Sequence, residues 1–178
     1  MRALVVYESM FGNTHVVADH IGEGLRSRCE TTVLPVSEAT PEQIAAADLL
    51  VVGGPTHVHG MTSTTSRRSA VEQAAKDDDL ELDPDAEGPG LRDWFDELPK
   101  RDGRRAAAFD TRIDAAAALT GRASKGISRR LRSHGFELVA TPQSFLVDKH
   151  NHLLDGEAAR ATEWGTALAT AVAGTTVA

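Results

Sequence analysis

Tyr7-Glu8-Ser9-Met10-Phe11-Gly12-Asn13-Thr14 decides how the rest of this chain folds. The short apolar run Ala3 to Tyr7 precedes it, and after it Val17, Ile21 and Leu25 recur at four-residue spacing. A bounded apolar run predicts a buried strand, and the spacing that follows predicts an amphipathic helix. The quoted stretch is therefore a strand-to-helix turn. Backbone N–H groups at such a helix start lack intrahelical partners and carry the positive end of the dipole, which suits an anion. Gly12 lets the chain bend tightly, while Ser9, Asn13 and Thr14 add side-chain donors. Together they describe a phosphate cradle, although a plain helix N-cap after a strand accounts equally well for Asn13 and Thr14. Two common nucleotide loops are excluded. No lysine precedes the closing hydroxyl, as a Walker A loop requires, and there is no G-x-G-x-x-G.

At 178 residues the chain suits one well-buried α/β domain. Its single cysteine, Cys29, excludes an internal disulfide and a cysteine-based metal cluster, and fits a reducing compartment. The first apolar run is too short for a signal peptide and nothing approaches a membrane span, so the expectation is a cytoplasmic protein. The net charge of −7 is localised: residues 77–87 hold seven acids and no base, and the remaining acids match the 19 bases. An acidic chain of this kind argues against general nucleic-acid binding.

Further strands are predicted at Thr31 to Val36, Asp48 to Gly53 and Arg105 to Phe109, with a fifth from Phe136 to Val147 interrupted at Pro142. Helical patterns lie between them: a turn at Pro41 capped by Thr40, a polar stretch over 62–76, Asp93 to Leu98, Gly121 to Ser133, and a final helix from Asp155. Strands alternating with helices imply a parallel sheet covered on both faces. Ligands of such sheets sit beyond the carboxyl ends of the strands, where loops 8–14, 54–60 and 110–120 emerge here.

Ser9-Met10-Phe11-Gly12-Asn13-Thr14 resembles the FMN phosphate loop of the flavodoxin family, with Phe11 standing where the family usually carries a further hydroxyl. The resemblance extends over nearly the whole chain and is weakest over 61–89, the region of the acidic excursion. It implies a doubly wound, five-stranded parallel sheet in one flavodoxin-like domain. It also implies an FMN whose phosphate is held by Ser9, Met10, Gly12, Asn13 and Thr14. Pro55, Thr56, His57, Val58, His59 and Gly60, with Asp110, Thr111 and Arg112, would then surround the isoalloxazine. Flavodoxins often stack a Trp or Tyr on the ring from the second loop; this loop has neither, so His57, His59 or Met61 takes that place or the ring face is open to a substrate.

Three functions share this fold: an FMN electron carrier serving a redox partner, a flavin-dependent NAD(P)H- or quinone-linked oxidoreductase, and a binding module that has lost the flavin. Menaquinone-dependent protoporphyrinogen oxidases are a precedent for the second. Arg112 pairs with Asp110 or Asp114, or else faces the ring, unlike the negative surroundings of many electron-carrying flavodoxins. Residues 77–87 are expected to form a mobile flap near the flavin that steers a basic partner. The pairs His57-x-His59 and His150-x-His152, with Asp148 and Asp155 nearby, are also candidate metal ligands. On the predicted helix 121–133, Arg122, Lys125, Arg129 and Arg132 form one stripe. It is a solvated face, a dock for an acidic partner, or a site for a pyridine-nucleotide phosphate.

Overall fold

A computed structural model describes residues 1–174 apart from Val58, Asp77–Asp79 and Arg101. Strand β1 (Arg2–Tyr7) leads through the turn into α1 (Asn13–Leu25). There follow β2 (Glu30–Pro35), α2 (Pro41–Ala46), β3 (Leu49–His57), the two-residue β4 (Gly60–Met61) and α3 (Thr64–Ala74). After the acidic segment come α4 (Leu91–Glu97), β5 (Arg105–Ile113), α5 (Ala117–Thr120) and α6 (Ala123–Ser133). The chain closes with β6 (Glu137–Leu138), β7 (Gln143–Val147) and α7 (Glu157–Ala173).

The main sheet is parallel in the order β2-β1-β3-β5-β6, with β7 also paired to β5. The interruption at Pro142 splits the fifth strand. β6 lies opposite Arg105 and Ala106, and β7 opposite Phe109 to Ile113. Proline has no N–H for the ladder, so pairing resumes only at Gln143. The strand order reverses between β1 and β3, which opens a crevice at their carboxyl ends.

Both faces of the sheet are buried, and the period of two sorts β1 between them. Leu4 and Val6 join Trp94, Phe95, Ile127 and Leu131 in a core beneath α4 and α6. Ala3, Val5 and Tyr7 join Val17, Ile21, Leu168 and Val172 beneath α1 and α7. Phe109 and Phe145 are fully buried and meet edge to face at 6.2 Å, with Trp164 against both. Truncating either phenylalanine to alanine costs about 3–5 kcal/mol. α2 and α3 each begin with a capping box, Thr40 with Gln43 and Ser63 with Ser66, whereas at the start of α4 Asp93 alone reaches back to the Gly90 N–H.

Candidate functional site

α1 begins differently. Its N-cap is Gly12 in the left-handed region, φ 83°, with no side-chain cap and no acid in the first turn. A Cβ at Gly12 would meet nothing within 4 Å, so the backbone conformation rather than crowding calls for glycine. Among the described residues nothing accepts from the N–H groups of Asn13, Thr14 or His15. The start of α6 makes the contrast, since Thr56 Oγ1 accepts from Ala123 N–H and Asp110 Oδ2 from Ser124 N–H. One helix start is sealed by neighbouring side chains, while the other is left open at the sheet's carboxyl edge.

The side chains around that open end are held in place. Ser9 Oγ accepts from Gly12 N–H at 3.2 Å, and the Thr14 and Thr111 hydroxyls meet at 2.7 Å. Asn13 Nδ2 donates to the carbonyl of Asn151 at 2.7 Å, tying α1 to the turn after β7. Met10 is buried against Ala70 and Ala86, and Phe11 packs on the same cluster. Phe11 therefore fastens the loop to α3 and the acidic segment, where a hydroxyl would have faced an anion.

A cleft of about 650 Å³ opens beyond these residues. Met10 and Phe11 line one side, Pro55, Thr56 and His57 the end of β3, and Thr111, Arg112 and Ile113 the end of β5. Residues of α3 and the turn Asp148 to His152 complete it. That turn was not among the loops expected from sequence. Its signal was the carboxyl end of the fifth strand, hidden by the interruption at Pro142. Asp148 shapes the turn by accepting from the N–H groups of His150 and His152, each at 2.8 Å. The His152 N–H foremost holds its carboxyl below the usual range.

Several expected side chains lie elsewhere. Asp110 is fully buried and caps α6 instead of facing the cleft, with Oδ1 left unpartnered. The cause is its place among the buried positions of β5, close to the start of α6. Met61 pairs with Thr56 and packs in the core beneath α6, so it is no ring clamp. His59 and Gly60 turn to neighbouring pockets, leaving His57 from that loop on the cleft. Val58 lies outside the described residues. Arg112 pairs with neither Asp110 nor Asp114; Nη1 donates to the carbonyls of Ile113 at 3.1 Å and Ala115 at 2.7 Å, and more distantly to Thr120 Oγ1. Among the described residues no three His, Cys, Asp or Glu side chains gather as a metal site.

The acidic segment departs most from expectation. Asp77–Asp79 lie outside the described residues, but Asp83 is buried and docked on the first loop rather than free to steer a partner. Its N–H donates to the Met10 carbonyl at 2.8 Å, and its carboxylate takes the Asp85 N–H and faces His15 Nδ1 at 3.2 Å. His15 in turn stacks on Tyr7 with ring centroids 4.5 Å apart. Burial, reinforced by Asp83, Asp85 and Asp19, pushes the Tyr7 phenol well above its ordinary value. Glu8, without a role in the sequence reading, is a second anchor. It is buried, accepts from Leu91 N–H at 2.8 Å and from the Thr62 hydroxyl, and so pins the start of α4 to the first loop.

Known proteins agree with this geometry. The structure is similar to a flavodoxin from the domain Archaea, with TM-score 0.67 and 21% identity over 97% of this chain and 99% of that one. It is similar to oxidised flavodoxin 2 from Bacillus cereus, with TM-score 0.61 and 21% identity over 98% and 99%. A curated flavodoxin of Aquifex aeolicus (strain VF5) is 39% identical over 69 residues, which span 38% of this chain and 37% of that relative. The family model for flavodoxin matches residues 5–157, a range that holds the open helix start, the cleft and the strand order alike, and the chain belongs to the flavodoxin family.

Proposed function

We propose that this chain binds one FMN without a covalent bond and carries electrons between redox partners. The observation that carries the reading is the unsealed start of α1 at the mouth of the 650 Å³ cleft. Three N–H groups there have no acceptor among the described residues, no acid stands in the first turn, and Met10 and Phe11 just before it line the cleft, which fits a phosphate monoester. Ser9, Met10, Gly12, Asn13 and Thr14 would hold the phosphate, while Pro55, Thr56, His57, Thr111 and Arg112 would border the ring. FMN, when bound, supplies reversible one- and two-electron transfer. The protein's part is to position the ring at the strand ends, exclude water from one side with Phe11 and Met10, and set the local charge through Arg112.

A flavin-dependent oxidoreductase acting on a small acceptor such as a quinone is the second reading. It is favoured by the cleft's lining, where Arg112, Lys149, His57, His150 and His152 stand beside Asp148, the one carboxylate among the described lining residues. Such a lining favours an anionic product. Purified protein that is yellow and releases FMN on denaturation supports both readings, and a colourless protein that takes up no added FMN overturns both. Steady turnover of NAD(P)H with a quinone then separates the enzyme from the carrier.

A further inference from the structure

The stripe of arginines seen in the sequence acquires a partner in three dimensions. Beside β4, between α4 and α6, lies a concavity of about 460 Å³. Arg92 of α4 and Arg122, Arg129 and Arg130 of α6 line it, with His59 and Gly60 at the rim. No carboxylate is among its described lining residues. Asp96 pairs with Arg130 at 2.8 Å on the exposed side. Arg92 spends its donors on the carbonyls of Thr62 and Met61, which fix it without neutralising it. Arg122 and Arg129 have no hydrogen-bond or ion-pair partner among the described residues, and Arg122 Nε is buried without one.

Like charges gathered in a concave wall repel one another and raise the local potential, and a buried N–H without an acceptor destabilises the fold. An anion relieves both. Guanidinium groups present forked donors that match phosphate oxygens, and arginines from two helices approach from more than one direction. A tetrahedral phosphate offers oxygens along those directions. The volume is that of a small-molecule site, whereas an acidic protein face would need a protrusion shaped to enter it. A smaller pocket of about 230 Å³ shares His57 and Arg112 with the cleft and His59 with the arginine pocket, so it borders both.

The geometry points to an anion subsite for the phosphate group of a small ligand, held by Arg122 and Arg129 with Arg92 and Arg130 around it. That the ligand's other end reaches the cleft rests on the flavin reading; the subsite itself does not. The test is calorimetric titration of the purified protein with pyrophosphate, with an adenosine bisphosphate and with polyglutamate. The titrations are repeated in R129Q, in R122Q/R129Q and in Thr14→Ala. Arg129 is exposed, so R129Q keeps the fold, which thermal melting verifies. With the first loop kept filled by excess FMN, the expected result is pyrophosphate binding that weakens with salt, falls about tenfold or more in R129Q, is lost in the double variant and is unchanged in Thr14→Ala. Tighter binding of the adenosine bisphosphate assigns the site to a nucleotide, and equal affinity assigns it to the phosphate alone. Equal affinity in parent and arginine variants overturns the subsite, as does loss in Thr14→Ala alone, which would move the anion to the first loop. Arginine-dependent binding of polyglutamate in preference to both phosphates also overturns it, in favour of an acidic protein. Flavin absorption of the same samples, freed of unbound FMN, separates the two readings, since colourless protein that still binds pyrophosphate through these arginines removes the flavin and keeps the subsite.

Discussion

The hydroxyls of Thr14 and Thr111 meet at 2.7 Å, although 97 positions separate them in the chain. The contact joins the first turn of α1 to the carboxyl end of β5, and both residues are buried. A hydroxyl has one proton to give, so Thr14 can donate to a phosphate only while it accepts from Thr111. Thr14→Ala should weaken FMN binding by about 1–3 kcal/mol. Thr111→Val should weaken it less, and the double variant should cost less than the two together. Flavin fluorescence titration of the four proteins measures the coupling, and simple additivity would separate Thr111 from the phosphate site.

Gly12 is held at φ 83° with open space around it. Gly12→Val should cost about 1–2 kcal/mol of stability through backbone strain, and it should weaken FMN more than Thr14→Ala because the new side chain enters the anion's approach. Chemical denaturation and FMN titration report the two effects separately. Full flavin content with unchanged affinity would remove the phosphate from this loop.

His59 adopts φ 68°, and its backbone lies where a Cβ on Gly121 would approach within 2.3 Å. His59→Gly relieves the left-handed strain and loses part of the gain to the greater freedom of glycine when unfolded. A net stabilisation of about 0.5–1 kcal/mol is expected, visible as a Tm higher by roughly 1–4 °C. Gly121→Ala should instead destabilise by more than about 2 kcal/mol, because the backbone of residue 59 cannot yield.

Tyr7 is the only tyrosine in the chain, so its phenolate absorbance can be followed directly. Burial foremost, and then Asp83, raise its pKa in the folded protein. The folded state therefore keeps the proton longer than the unfolded chain. This contribution to stability is complete below the unfolded tyrosine value of about 10 and is lost as pH rises beyond it. Difference absorbance should show no phenolate until the protein unfolds, and Asp83→Asn, which removes a charge that raises the pKa, should let phenolate form in the folded protein at lower pH. Ordinary titration in the parent would mean that the acidic segment does not cover Tyr7 in solution.

Arg112 carries its charge at the cleft wall with carbonyls and a hydroxyl for partners and no carboxylate among the described residues. A unit charge near 4 Å contributes at most about 4 kcal/mol at an effective dielectric of 20, before screening. With about 59 mV per tenfold for one electron, its presence should raise the potential of the second reduction step by on the order of 100 mV. Redox titration of Arg112→Gln beside the parent should show that step lowered. Superimposed curves would leave Arg112 as the brace of the 113–120 turn alone.

The amino-acid sequence by itself determined the layers of this protein. The apolar run from Ala3 to Tyr7 marked a buried strand, Thr40-Pro41 started α2, Pro142 divided the last strand, and Gly12 marked the open start of α1. These signals are local, because backbone sterics and the strand and helix periods act over a few residues. What a polar side chain finally meets is set by residues brought near only when the sheet closes. Asp110 was expected at the ring and went to the start of α6, and Arg112 found carbonyls instead of a carboxylate. Glu8 was assigned nothing and holds α4 from 83 positions away. The acidic run is a charge excess in sequence, yet Asp83 is a buried clasp on the first loop, because Leu82 and Ala86 beside it bury apolar surface against that loop's cluster. The arginine pocket needed Arg92 beside Arg129, and only the packing of α4 and α6 on one face of the sheet brought them together.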